Sequence, residues 1–175
     1  RFAASICNWY KKRYGLTVDP ETIRHSQGLM TGALWMILNA YTRPGDKVLI
    51  QAPVYHTFSI VIKGAGRFVE SNDLVLEDGR YEMNFEDLEK KVADPRVRIM
   101  LICNPHNPVG RVWKKEELEQ LGTLCEKYGV TVVVDEIHCD FVRKGYKHVP
   151  FGTLEPFGKK AVICTSPSKT FNLAG

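Results

Sequence analysis

Three apolar runs, residues 97–103, 130–134 and 161–165, alternate with stretches of helical periodicity. A strand that is apolar at nearly every position, rather than at every second one, has to be covered on both faces. Strands joined through helices run parallel, because a tight hairpin cannot connect them. The expected fold class is therefore α/β, a three-layer α/β/α sandwich with a mostly parallel sheet.

The remaining segments fit that frame. Phe2, Ile6, Trp9 and Tyr10 share one face of a helix over residues 2–14 that Gly15 ends. A turn at Asp19-Pro20 leads to an extended stretch over 23–26. Thr31 opens a helix that closes at Arg43-Pro44-Gly45-Asp46. Strands are expected at 47–52 and 67–70, with a helix between them that ends near Gly64. Residues 71–81 read as loop or hairpin around Asp78-Gly79. Asn84 is placed to cap the helix that follows, and Asp87 complements the free amides of its first turn. A charged and leucine-bearing helix is expected over 114–128.

Several function classes drop out. The 175 residues suffice for one domain with a sizeable core. A net charge of +4, with basic residues in short pairs and no stripe interleaved with aromatics, gives no case for nucleic acid. No apolar run approaches the roughly 20 residues of a membrane span, and the opening segment is too polar for a secretion signal. Five cysteines without a CxxC pair suit reduced thiols in a cytoplasmic protein. Neither end carries a terminal cap, so the chain is expected to be a fragment.

In open α/β sheets, ligands bind beyond the carboxyl ends of the strands. Asn104-Pro105-His106-Asn107-Pro108-Val109-Gly110 follows the first apolar run. Asp135-Glu136-Ile137-His138 follows the second, and Ser166-Pro167-Ser168-Lys169 the third. An amide, a carboxylate and an amine thus reach one rim. A partly desolvated lysine can form a Schiff base, and a carboxylate opposite it can keep a ring nitrogen protonated. Pyridoxal phosphate needs both. Its phosphate needs small donors, which the helix start at Thr31 and the Ser166 hydroxyl can offer. Tyr55 could stack on a flat ring.

At these residues the chain resembles the fold-type I pyridoxal-phosphate enzymes of the class I/II aminotransferase superfamily. The carriers are TGAL, APVY, NPHNPVG, VVVDEIHCDF and TSPSKTFNLAG, in that order. DEIH followed by SKTFN resembles the cysteine-S-conjugate β-lyase (cystathionine β-lyase) branch. The resemblance implies an incomplete large domain over residues 28–175, with 1–27 as helix and lead-in and most of the small domain absent. It implies Lys169 as the Schiff-base lysine and Asp135 as partner of the pyridine nitrogen. Asn107, rather than Asn104, is implied as donor to the phenolic oxygen. Tyr55 matches the stacking aromatic, and Met30, Thr31 and Ser166 match the phosphate cradle. His138 stands where many aminotransferases carry tyrosine, which favours the lyase branch. Met30 stands where some relatives have glycine. A homodimer is implied as well.

Each residue also has a plain structural role open to it. Lys169 in isolation would be a surface lysine, Asp135 a turn cap, Asn104 a turn former, and Tyr55 a core residue. Ser166 and Ser168 would be loop hydroxyls. Cys103-x-x-His106 has a zinc-like step, but a strand cysteine points into the core, so no metal is expected. Trp9, Trp35 and Trp113 read as packing residues. The expected activity is β-elimination from cystathionine or another cysteine S-conjugate, releasing homocysteine or another thiol, pyruvate and ammonia. The alternatives are amino transfer to a 2-keto acid on the same scaffold, and a non-catalytic regulatory module. Asp135 is expected to hold a depressed pKa while it faces a pyridinium.

Overall fold

The structure is a computed structural model that describes residues 1–174; the side chains of residues 29–31 lie outside the described part. Five parallel strands form the central sheet in the order β2-β1-β5-β6-β7. They are β1 (Lys47–Ile50), β2 (Phe68–Ser71), β5 (Val97–Cys103), β6 (Thr131–Asp135) and β7 (Val162–Cys164). Strands β3 (Val75–Glu77) and β4 (Arg80–Glu82) pair antiparallel as a separate hairpin. Its turn is Asp78-Gly79, both at positive φ (47° and 76°), the conformation a two-residue hairpin turn demands.

The alternation along β5 explains why that run is apolar throughout. Met100 and Ile102 face a core that holds Leu88 and Val92 of α4 (Phe85–Val92) with Leu118, Leu121 and Cys125 of α5 (Lys115–Lys127). Ile99, Leu101 and Cys103 face the opposite core, which holds Ile37 and Leu38 of α2 (Trp35–Tyr41) with Phe58 and Ile62 of α3 (Thr57–Gly64). Two cores on two faces make three layers, as the sequence implies.

Helix ends follow local chemistry. Gly15 closes α1 (Phe2–Tyr14) at φ 71°, and its N–H donates to the Lys11 carbonyl. The Asn84 side chain accepts from the Asp87 N–H at 3.0 Å, capping α4. The buried Arg67 guanidinium donates to the carbonyls of Leu38 and Thr42 at the end of α2 and to that of Ala65 at the end of α3.

Two expectations need correction. The helix expected from Thr31 begins at Leu29, as a π-helical turn over Leu29–Leu34 that runs on into α2. Gly28, at φ 74°, lets the chain enter earlier. Gly32 keeps that entry close, since a Cβ there would lie 2.7 Å from the Gln27 carbonyl oxygen. Trp35 is not a core residue but stands 44% exposed on the outer face of α2, beside exposed Met36. Ile23 is extended, but residues 23–26 form no strand. No helix of the described residues is long and apolar enough to cross a membrane.

Candidate active site

Asp135 sits at the end of the middle strand of three. Its Cα is paired with Cys103 on β5 and with Cys164 on β7. The ladder continues one step past the strands. The Asn104 N–H donates to the Asp135 carbonyl at 2.9 Å, and the Glu136 N–H donates to the Cys164 carbonyl at 2.8 Å. Backbone on both sides thereby fixes the aspartate, whose side chain is almost wholly buried. Oδ1 accepts from the Ile137 N–H at 3.1 Å. Oδ2 accepts from no protein donor among the described residues. Burial pushes this carboxyl up to about 6, and the Ile137 hydrogen bond offsets only part of that. In the chain by itself, therefore, the shift runs opposite to the depression expected beside a pyridinium. Desolvation acts whether or not a cation faces the group.

Glu136 is used by the scaffold. Its Oε1 accepts from the Phe151 N–H at 2.8 Å, and its Oε2 lies 3.5 Å from His148 Nε2 in the interior. Successive residues at the strand end thus divide the work, with Asp135 left available at the rim.

The loop after β5 is held from several sides. Asn104 Nδ2 donates to the Val149 carbonyl at 3.1 Å, so its side chain ties the loop to a distant segment. Trp113 Nε1 donates to the Cys103 carbonyl at 3.0 Å, and the Arg111 guanidinium lies 4.5 Å over the Trp113 ring. His106 pairs with the Pro53 carbonyl at 3.0 Å and packs edge-on against Trp113. Burial holds its imidazole down at about 4, hence neutral. Asn107 is half-buried within this frame; its N–H lies 3.4 Å from Cys103 Sγ.

Tyr55 follows β1, half-buried, with its ring edge-on to Phe58 at 5.8 Å. It packs on the core that it caps and keeps part of its ring accessible. The His106–Pro53 contact anchors the loop that carries it. Trp113 is the buried packing residue that the sequence reading expects; His106 and Arg111 were missed as supports of the site, and the crowding of NPHNPVGRVW beside a strand end was the available signal.

After β7, α6 (Pro167–Thr170) begins at Ser166, whose Oγ accepts from the Ser168 N–H at 3.1 Å. Lys169 lies in α6 and is exposed. The desolvating walls expected around it are not built by the described residues, because a four-residue helix at the sheet edge buries none of its side chains. His138 is half-buried; burial, and then the positive charge of Lys169, lower its pKa. Lys169 and His138 are therefore electrostatic neighbours on the rim. Met30 and Thr31, the expected phosphate contacts, have side chains outside the described residues. The backbone of their turn lies beside α3.

Four adjacent strands, β1, β5, β6 and β7, thus supply Tyr55, Asn107, Asp135, His138, Ser166 and Lys169 from their carboxyl-terminal side. A three-layer parallel sheet with a buried acid and a basic helix at one rim defines a ligand-binding α/β domain. Residues 1–175 match the family described as aminotransferase class I and II, and the chain belongs to it. It is 48% identical over 172 residues to cystathionine beta-lyase PatB of Bacillus subtilis, covering 98% of this chain and 44% of that protein. Among solved structures it is similar to cystalysin of Treponema denticola, which contains pyridoxal 5'-phosphate (TM-score 0.95, 36% identity, 98% of this chain and 44% of that one). It is also similar to the PLP-bound C-S lyase of Staphylococcus hominis (TM-score 0.93, 35% identity, 98% and 45%). The chain spans less than half the length of these relatives.

Proposed function

We propose that this chain is the core of the cofactor-binding domain of a pyridoxal-phosphate-dependent carbon–sulfur lyase. The substrate is cystathionine or another cysteine S-conjugate, and the products are homocysteine or another thiol, pyruvate and ammonia. The observation that carries the reading is Asp135, a buried carboxylate with one oxygen free, fixed between two strands and poised near neutrality. Such a group suits a protonated ring nitrogen better than water, because a cation at Oδ2 relieves an ionisation that burial disfavours. The similarity to relatives named as lyases supports the same reaction class.

Bound pyridoxal phosphate supplies an electron sink for the pair released at the substrate Cα. The chain's own groups do the rest. Asp135 holds the ring nitrogen in its protonated form. Lys169 would anchor the cofactor through its side-chain amine, and the same amine would hold or move the proton at the substrate Cα. Asn107 donates to the phenolic oxygen, and Tyr55 lies against the ring. Ser166, together with Met30 and Thr31 in the first turn of their helix, holds the phosphate. His138 lines the rim beside Lys169, and a neutral imidazole there leaves the lysine amine without a competing cation. Residues 1–27 serve as lead-in to this domain over 28–175. A homodimer in the cytoplasm completes the reading, and exposed Trp35 and Met36 on α2 support a covered outer face.

The aminotransferase alternative uses the same residues, and the family description keeps it in play. Replacing Lys169 with alanine in the full-length protein is expected to abolish both the visible absorbance of lysine-linked cofactor and pyruvate release from cystathionine. A variant that kept both would overturn the assignment. Pyruvate and thiol formed without added keto acid separate lyase from transaminase; amino transfer with no pyruvate would favour the second.

A further inference from the structure

Helix α6 has a weakness that the rest of the molecule compensates. With four residues and no buried side chain, it has neither the length nor the apolar face that normally keeps a helix in place. Its orientation is set by polar ties. On the amino side, Ser166 accepts from Ser168. On the carboxyl side, the Thr170 hydroxyl donates to Asp140 Oδ2 at 2.8 Å.

Asp140 is itself firmly held. Its side chain is 8% exposed, and Oδ1 accepts from Arg13 Nε at 2.8 Å and from the Tyr14 hydroxyl at 2.9 Å. Burial alone would raise this carboxyl, but hydrogen bonds from Arg13, Thr170 and Tyr14 together keep it below its ordinary range. The same helix touches the next residue of the lysine segment, since the Trp9 ring meets Phe171 edge-on at 5.2 Å. Arg13 in turn lies 5.4 Å over Trp9. Thr170 and Phe171, the two residues that follow Lys169, are thereby referred back to the β6–β7 connection and to α1.

We propose that Asp140 is a positioning residue for Lys169, acting through the Thr170 hydroxyl, with Arg13 and Tyr14 of α1 fixing the carboxylate. Asp140 lies on the segment that carries Asp135 and His138, so one stretch of chain sets both the acid and the helix that bears the amine. The inference rests on the role of Lys169 proposed above, and it deepens that role.

Thr170 is the informative position, because changing Asp140 would also release Arg13 and Tyr14. Thr170→Val keeps the shape and deletes the hydroxyl, and Thr170→Ser restores it. In cofactor-free full-length protein, amide hydrogen exchange over residues 166–173 is expected to quicken about tenfold in Thr170→Val, in keeping with loss of one hydrogen bond to a charged group. It should match the parent in Thr170→Ser. With cofactor bound, Thr170→Val is expected to lose about tenfold in kcat with little change in KM and to alter the visible circular dichroism of the cofactor; serine should restore both. Parent-like exchange and parent-like dichroism in Thr170→Val would overturn the proposal. The exchange measurement needs no activity, so it can succeed or fail independently of the Lys169→Ala result.

Discussion

The loop after β5 and the segment after β7 feed the same rim by opposite means. Between Asn104 and Trp113 the chain is largely buried, and each turn is tied to neighbouring backbone: Asn104 to Val149, His106 to Pro53, Trp113 to Cys103. Between Thr165 and Ala174 no residue is buried. There the ties are a serine cap, the edge-on Trp9–Phe171 contact and one carboxylate shared with a helix more than 120 residues earlier in the chain. The first region places Asn107 by packing, and packing tolerates little movement. The second holds the Lys169 segment by a few replaceable contacts, which leave the lysine side chain exposed.

If that contrast holds, the largest loss of stability belongs to the first region. Trp113→Ala removes a fully buried indole and its hydrogen bond and is expected to lower unfolding free energy by about 3–5 kcal/mol, read from urea denaturation. Asp135→Asn, on the strand between the two regions, should go the other way. The folded pKa is raised from 3.8 to about 6, so the folded state holds its proton more tightly and loses stability as pH climbs between those values. The asparagine variant, cofactor-free, should equal the parent below about pH 4 and exceed it by up to about 3 kcal/mol at pH 7, while failing to retain cofactor. A parent whose stability did not fall relative to the variant across that interval would refute the buried-acid account. The two asparagines of the first loop give the finest test. Asn104→Ala is expected to destabilise by about 1–2 kcal/mol through the orphaned Val149 carbonyl. Asn107→Ala should change stability by less than about 0.5 kcal/mol and weaken cofactor retention instead, as measured by equilibrium dialysis.

The sheet could be read from the sequence because burial on two faces leaves a local signature: six of the seven β5 residues, all but Arg98, are apolar and buried, and the flanking helices carry their own caps at Asn84 and Gly15. The hairpin was marked by Asp78-Gly79 for the same local reason. The helix start at Leu29 was not, since it depends on how closely Gly32 approaches Gln27. The rim residues could be listed from strand ends, but their environments could not. Exposure of Lys169 reflects what α6 does not cover, and the Arg13–Asp140 pair joins positions 127 residues apart with no shared periodicity. Trp35 illustrates the converse: a large apolar side chain within a helical pattern whose outward direction only packing could decide.

The shared carboxylate has a consequence for how the polypeptide assembles as it leaves the ribosome. Arg13 and Tyr14 are made first and can engage Asp140 once the β6–β7 connection emerges, about 30 residues ahead of Thr170. The acceptor is then waiting when α6 emerges, so the lysine segment docks onto a tie that is already formed.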